Sequence, residues 1–427
     1  MKNYKKRIID GLLAKKLQAK GAVLIEGPKW CGKTTSAAEM AASKILLSKP
    51  DIKEQFSNLL EIDSDSALTG NAPMLIDEWQ TIPKLWDAVR YTVDQRQKMG
   101  QFILTGSAVP NKDTEKERQH SGTGRFAWLT MRTMTLFESG ESNGSVSLAH
   151  LFTAPKKILE KNNLTLQDIA FLTCRGGWPM ATGLSKEAAL EQAFDYYDAL
   201  TKEDITRIDG IKRTSEKVQR LMRAYARHQG MQAPLTTLRK DLQANETERL
   251  DEDTISSYLE ALRKIFVVED MPAWTPNLRS KTAIRTTDTR YFVDPSIATA
   301  ALGLGPKDLL NDLKTTGMFF ETMCIRDLRV YAEALNGKVY HYRDKNGLEC
   351  DAVVHLRNGQ YGLIEIKLGG QTLINDGAKN LCRLEKLIDD TRMNAPSFKM
   401  ILTATGDFAY RRPEDGIYVV PLGCLRS

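Results

Sequence analysis

The sequence predicts an α/β protein whose N-terminal part holds a mainly parallel sheet, followed by a helical middle and a second α/β part. Three observations predict it. Over residues 1–130, short apolar runs alternate with helical patterns, as expected of a sheet covered on both faces. A glycine-rich loop stands between the first of these runs and the helix after it. Near the end of the chain, a helical stretch precedes three strand-like runs, a helix and a further strand. The 427 residues, 42% hydrophobic and 27% charged, suffice for several cores and exclude a disordered chain or a single small module. Divisions are expected at 1–200, 201–300 and 301–427.

The elements follow in order. Ala22-Val23-Leu24-Ile25-Glu26 reads as a strand ending in Gly27, and 34–43 is Ala-rich and helical. Runs 59–62, 74–76 and 102–104 read as the next three strands. Stretch 111–124 carries Lys112, Asp113, Glu115, Lys116, Glu117 and Arg118 close together and reads as an exposed insertion. Residues 155–230 read as helical. Within 201–240, ten Lys/Arg stand against four Asp/Glu, a local +6 that equals the net charge of the whole chain. Short helices follow at 236–242 and 254–265, the second with Thr254 as N-cap behind Glu252 and Asp253. Runs 265–269 and 291–293 read as strands, with Arg279, Lys281, Arg285 and Arg290 between them. Three helices and a basic hairpin outline a winged helix. The last part reads as a helix at 317–335, strands at 338–342, 350–356 and 362–367, a helix at 381–388 and a strand at 399–403.

Sixty Lys+Arg against 54 Asp+Glu make the chain mildly basic, which permits an anionic partner such as DNA without demanding one. Six cysteines without C-x-x-C spacing read as reduced thiols in a cytoplasmic protein. No run approaches the roughly 20 apolar residues of a membrane span, so no membrane partner is expected. The five histidines show no metal spacing.

Gly27-Pro28-Lys29-Trp30-Cys31-Gly32-Lys33-Thr34 matches G-x-x-x-x-G-K-[ST], and its strand-to-helix context is the required one. Chance supplies such a string only about 0.02 times in this length, so a nucleotide site is expected. The glycines let backbone N–H groups face the phosphates of ATP beside the helix N-terminus. Lys33 would bind the β/γ-phosphates, and Thr34, with Thr35 next to it, would reach the Mg²⁺. Met74-Leu75-Ile76 ends in Asp77 and Glu78. Asp77 stands where an acid holds Mg²⁺ and Glu78 where one polarises a water. Ser107, just past the fourth strand, would sense the γ-phosphate. Arg125 would supply transition-state charge within its own subunit or to another, and reads equally as a surface arginine. Arg175, ahead of Gly176-Gly177-Trp178-Pro179, is a weaker candidate for the same task.

Asp351 opens one apolar strand, and Glu365-Ile366-Lys367 lies in the next, with Glu and Lys on one face by the period of two. Such a D…E-x-K set, typical of restriction-endonuclease-like folds, would hold Mg²⁺ or Mn²⁺ on Asp351 and Glu365 while Lys367 activates water. Glu321, on the preceding helix, would add a metal-site acid. Glu-x-Lys alone arises by chance about once or twice in such a chain, so the helix–strand–strand order is the useful part. In the middle region, Asp251, Glu252, Asp253 and Glu260 outnumber Arg263 and Lys264 on the candidate DNA-reading helix. A winged helix used for packing or self-association therefore fits as well as a DNA-binding one.

These residues resemble the prokaryotic AAA-type ATPases (AAA_14) that carry a C-terminal domain of unknown function 4143. The likeness runs over nearly the whole chain. It is carried by the 27–34 loop, Leu75-Ile76-Asp77-Glu78, 102–108, His120-Ser121-Gly122-Thr123-Gly124-Arg125, Gly176-Gly177-Trp178-Pro179, Tyr291-Phe292-Val293-Asp294-Pro295, Glu349-Cys350-Asp351 and Ile364-Glu365-Ile366-Lys367. Trp178 stands where the family usually has Tyr. The resemblance implies an AAA+-like P-loop NTPase domain, a winged-helix middle and a restriction-endonuclease-like α/β C-terminal domain. Two functions are expected: an ATPase whose nucleotide state is coupled to a nuclease-like domain, or an ATP-dependent signalling or assembly switch, homo-oligomeric, whose C-terminal domain only binds a partner.

Overall fold

The computed structural model describes residues 4–108, 121–155, 157–206, 213–246, 250–279 and 283–427. The 111–124 insertion lies outside the described residues up to His120, as does Lys281. Two compact units divide the chain. The first comprises Met1–Thr133, Glu203–Arg213 and Glu260–Val267, and the second Met134–Lys202, Thr214–Leu259 and Val268–Ser427. This partition departs from the expected divisions at 200 and 300, because strands from 134–202 enter the sheets of the C-terminal half.

In the first unit, β1 (Ala22–Glu26), β2 (Ser43–Leu46), β3 (Met74–Asp77), β4 (Phe102–Gly106) and β5 (Phe126–Thr130) form a parallel sheet in the order β2-β3-β4-β1-β5. Alternate residues point to opposite faces. Leu24, Ile76 and Leu104 pack with Trp79 and Trp86 on one side. Val23, Ile25, Leu75 and Ile103 pack with Ile9, Leu13 and Leu17 of the Ile8–Ala19 helix on the other. Burial on both faces is why the strands read as continuous apolar runs, each large side chain contributing about 1.5–3 kcal/mol.

The expected strand at 59–62 is instead the end of the Pro50–Ile62 helix. Phe56 and Leu60, four apart, are buried, while Leu59 and Ile62 face solvent. The second strand is β2, and the helix after the glycine-rich loop is shorter than expected, Lys33–Met40.

The second unit holds a small sheet of β6 (Val146–Ser147) and β14 (Leu425–Arg426) and a seven-stranded one. The larger sheet contains β7 (Leu159–Lys161), β8 (Gly337–Arg343), β9 (Glu349–Leu356), β10 (Tyr361–Lys367), β11 (Phe398–Thr403), β12 (Phe408–Arg411) and β13 (Tyr418–Pro421), in the order β7-β12-β13-β11-β10-β9-β8. β8, β9 and β10 form an antiparallel meander, and β11 runs parallel to β10. A parallel neighbour requires a crossover, supplied by the Gln371–Leu387 helix, whose Ile374, Ala378, Leu381 and Leu384 pack on Val353, Leu363 and Ile401.

Region 155–230 is not uniformly helical, since β7 interrupts it before the Leu166–Arg175, Lys186–Lys202 and Ser215–Arg227 helices. Leu235–Asn245 and Glu252–Lys264 follow. The last of these is capped not by Thr254 but by Asp251, whose Oδ1 accepts the Thr254 N–H at 2.7 Å. The strand-like runs 265–269 and 291–293 reduce to isolated bridges, Val268–Phe292 and Met271–Thr289. Phe266 takes a left-handed φ of 59°, which breaks an extended run. All six cysteines are unpaired. Among the described residues no helix is long and apolar enough to cross a membrane.

Candidate functional site

The 27–34 loop leaves the C-terminal end of β1, the end of a parallel sheet at which ligands bind. A Cβ on Gly27 would lie 2.0 Å from the Met131 carbonyl oxygen, so only glycine lets the chain pass there. Lys33 is buried, and its Nζ donates to the carbonyls of Gly27 (2.9 Å) and Pro28 (2.8 Å). Those donors can pass to phosphate oxygens. Thr34 Oγ1 donates to Asp77 Oδ1 at 2.7 Å, and Thr105 Oγ1 donates to the same oxygen at 2.5 Å. A hydroxyl and a carboxylate joined in this way fit Mg²⁺ held by Thr34 with Asp77 behind it.

Glu78 comes next, in a left-handed conformation with φ 57°. Its Oε2 accepts from Ser107 Oγ at 3.1 Å and from Gln80 Nε2. Strained backbone of this kind is costly and gathers at functional sites. Here it turns the carboxylate toward the residue that follows β4. Cys31 is buried with Sγ 3.5 Å from the Met131 carbonyl, Trp30 is exposed, and Lys29 Nζ lies 2.5 Å from Asp204 Oδ1.

Arg125 is set apart from this group. It immediately precedes β5, and its carbonyl accepts the Ala22 N–H, so it stands at the opening end of β1. Five strand residues at about 3.3 Å each separate it from the loop in its own subunit. Its Nε donates to Asp94 at 2.7 Å, which favours the charged form and raises its pKa further. Arg175, in the second unit, pairs with Glu141 and donates to the Gly176 carbonyl.

The sequence reading missed Arg7, Thr105, Gln80 and Asp204. Arg7 braces the loop, its Nη1 donating to Cys31 O (2.8 Å) and Nη2 to Arg132 O (2.9 Å). A basic residue just ahead of the first helix carries no motif. Thr105, in the Thr105-Gly106-Ser107 run, was within reach of the reading.

A second cluster lies at the ends of β9 and β10. Lys367 Nζ is 2.7 Å from Glu365 Oε2 and 3.1 Å from Asp351 Oδ2, and Asp351 Oδ2 also accepts the Ile366 N–H at 2.7 Å. Glu365 is 2% exposed, and its Oε1 has no hydrogen-bond partner among the described residues. Burial, then the Asp351 charge, pushes its carboxyl up to about 8. Burial opposes the charge on Lys367, but Asp351 and Glu365 more than offset it and hold the ammonium above the usual lysine range. Glu321, expected to add an acid to this group, feels the Asp351 charge. It accepts a hydrogen bond from the buried Tyr291 hydroxyl, and burial, then Asp351, pushes it up to about 8. Among the described residues no three His, Cys, Asp or Glu side chains are arranged to hold a metal. Glu365 Oε1 nevertheless is a buried acceptor left over, which fits a cation on the Asp351–Glu365 side of the cluster.

Three arginines of the basic middle stretch are paired with acids of the same region. Arg223 pairs with Glu246 (2.7 Å), Arg227 with Asp241 (2.5 Å) and Glu246 (3.0 Å), and Arg239 with Glu252 (3.1 Å).

A parallel sheet in this order, with Lys33, Thr34, Asp77 and Glu78 gathered at the C-terminal ends of its strands, defines a P-loop nucleoside triphosphatase. Residues 19–139 match the AAA domain family, 316–425 a domain of unknown function, DUF4143, and 166–308 another, DUF8612. The chain thus carries an AAA domain and a C-terminal DUF4143. It is 24% identical over 361 residues, 83% of this chain and 72% of the other, to the uncharacterized protein Rv2008c of Mycobacterium tuberculosis. Among solved structures it is similar to the Walker-type ATPase PABY2304 of Pyrococcus abyssi, with a TM-score of 0.41 and 14% identity, covering 69% of this chain and 94% of that one. It is also similar to the ORC2 protein of Aeropyrum pernix, with a TM-score of 0.30 and 14% identity, covering 64% and 90%.

Proposed function

We propose that ATP binding and Mg²⁺-dependent hydrolysis at the 27–34 loop control a C-terminal domain that acts on nucleic acid through Asp351, Glu365 and Lys367. The observation that carries the second half is the contact of Lys367 with both carboxylates beside the orphaned Glu365 Oε1. Its setting supports a restriction-endonuclease-like reading: a helix, an antiparallel meander, a crossover helix and a parallel fourth strand. Asp351 and Glu365 would hold Mg²⁺ or Mn²⁺, and the cation would supply Lewis-acid stabilisation of a phosphodiester. Lys367 would orient the attacking water. The 215–264 helices are read as a winged helix. Their internally paired arginines support a role in packing more than in holding DNA phosphates. The test is cleavage of single- and double-stranded DNA with Mg²⁺ or Mn²⁺, with and without ATP. Cleavage that disappears in both Asp351→Ala and Lys367→Ala is expected, and none by the unaltered protein under any condition sinks the nuclease half.

A second reading is an ATP-driven assembly switch, favoured by the position of Arg125. An arginine at the end of the sheet away from its own loop can act on a nucleotide only in another copy. Light scattering is then expected to show a mass that rises with ATP, and an unchanged mass rejects this reading.

A further inference from the structure

We propose that Asp204 is a positioning residue for the phosphate loop, holding Lys29 off the terminal phosphate of a nucleoside triphosphate until that phosphate displaces it. The inference rests on the ATP-binding reading and adds to it the element that tells ATP from ADP.

Lys29 lies between the two glycines of the loop, on the rim of the phosphate cradle. Its side chain is 48% exposed, yet its ammonium is 2.5 Å from the carboxylate of Asp204, itself only 16% exposed. The loop's other cation, Lys33, is occupied by neutral carbonyls of the loop itself. Lys29 alone is engaged by an anion, and one brought in from 175 residues further along the chain. The Asp204 carboxylate competes with phosphate for the same ammonium, and its effect on the nucleotide passes through Lys29. The contest is sharpest for the γ-phosphate, which adds charge at the loop that ADP lacks.

The place of Asp204 in the chain gives the exchange a consequence. It lies in the short turn Asp204–Thr206, within a segment that belongs to the ATPase unit. Ile205 is fully buried, and Arg213 donates to its carbonyl at 3.5 Å, so the turn next to the ion pair is held in place. In sequence, the segment is preceded by the Lys186–Lys202 helix and followed by the Ser215–Arg227 helix, both in the second unit. Whatever releases Asp204 therefore acts on the chain that joins those helices.

The test is calorimetric binding of ADP and of a non-hydrolysable ATP analogue, each with Mg²⁺, to the full chain and to Asp204→Asn, Lys29→Met and the double variant. Asp204→Asn is expected to tighten the ATP analogue by about three- to tenfold and to change ADP less than twofold. In the Lys29→Met background the same substitution should have no effect, since Asp204 acts through Lys29. Equal changes for both nucleotides, or an undiminished Asp204→Asn effect without Lys29, overturn the proposal. If the unaltered protein binds the analogue no better than Lys33→Ala, the ATP-binding reading fails first and this one with it.

Discussion

Glu78→Gln is expected to lower steady-state ATP turnover by roughly 10²–10⁴-fold, the range lost with a general base, while ATP still binds. The distinction follows from the two neighbouring acids. Asp77 is engaged by Thr34 and Thr105, and as the acid that would stand behind Mg²⁺ its replacement should weaken Mg²⁺-dependent affinity. Among the described residues, Glu78 hydrogen-bonds through its carboxylate to Ser107 and Gln80 and not to the loop. Its left-handed backbone and its contacts with Ser107 and Gln80 direct the carboxylate elsewhere, where a water aligned with the γ-phosphate would lie. Glutamine keeps the size and the hydrogen bonds and loses only the basicity. Phosphate release measured beside calorimetric ATP binding separates the two effects. A variant retaining more than a tenth of the normal rate removes Glu78 from the base role.

What could be read from sequence was what is local. The 27–34 loop is contiguous, Asp77 ends a buried strand with Glu78 next, and the structure joins Thr34 to Asp77 by a hydrogen bond. Run 59–62 misled because apolar content alone does not separate strand from helix. The four-residue spacing of Phe56 and Leu60 carried the helical signal. The true second strand, Ser43-Lys44-Ile45-Leu46, sits at the sheet edge and is only partly buried, so it lacks an apolar run. Of the roles left open for Arg125, the one within its own subunit loses support for a reason open to sequence reasoning. It precedes its strand, and in a parallel sheet the starts of strands lie away from the ligand end. Asp204 and the Tyr291–Glu321 bond join residues far apart in sequence, and no spacing announces them.

The largest structural effect is expected from Arg326→Met, which should destabilise the second unit by about 3–5 kcal/mol, the cost of breaking a buried ion pair. A thermal midpoint lower by roughly 10 °C follows for a unit of this size. Arg326 is buried on the Leu313–Ala334 helix, with Nη1 3.1 Å from Asp294 Oδ2 and Nε 2.8 Å from Asp327 Oδ1. The two acids are not equivalent. Asp294 also accepts from the Gly177 N–H (2.9 Å), the Ser296 N–H (3.0 Å) and the Ser296 hydroxyl (2.7 Å), while Trp178 Nε1 donates to that same hydroxyl. The Gly176-to-Pro179 and Tyr291-to-Pro295 motifs thus meet as a structural junction, and Asp294 keeps at least three donors when the arginine is gone. Among the described residues Asp327 keeps one, the Leu136 N–H at 3.0 Å. Burial, opposed by Arg326, already raises its pKa from 3.8 to about 6, and removing the arginine raises it further. A group whose folded pKa lies above its unfolded value binds more protons when folded, so stability falls as pH rises through that interval. The Arg326→Met loss should therefore be smaller at pH 5, where Asp327 is protonated, than at pH 7.5. Melting curves at the two pH values test this, and an equal loss at both would mean that Asp327 is not the charge left unpaired.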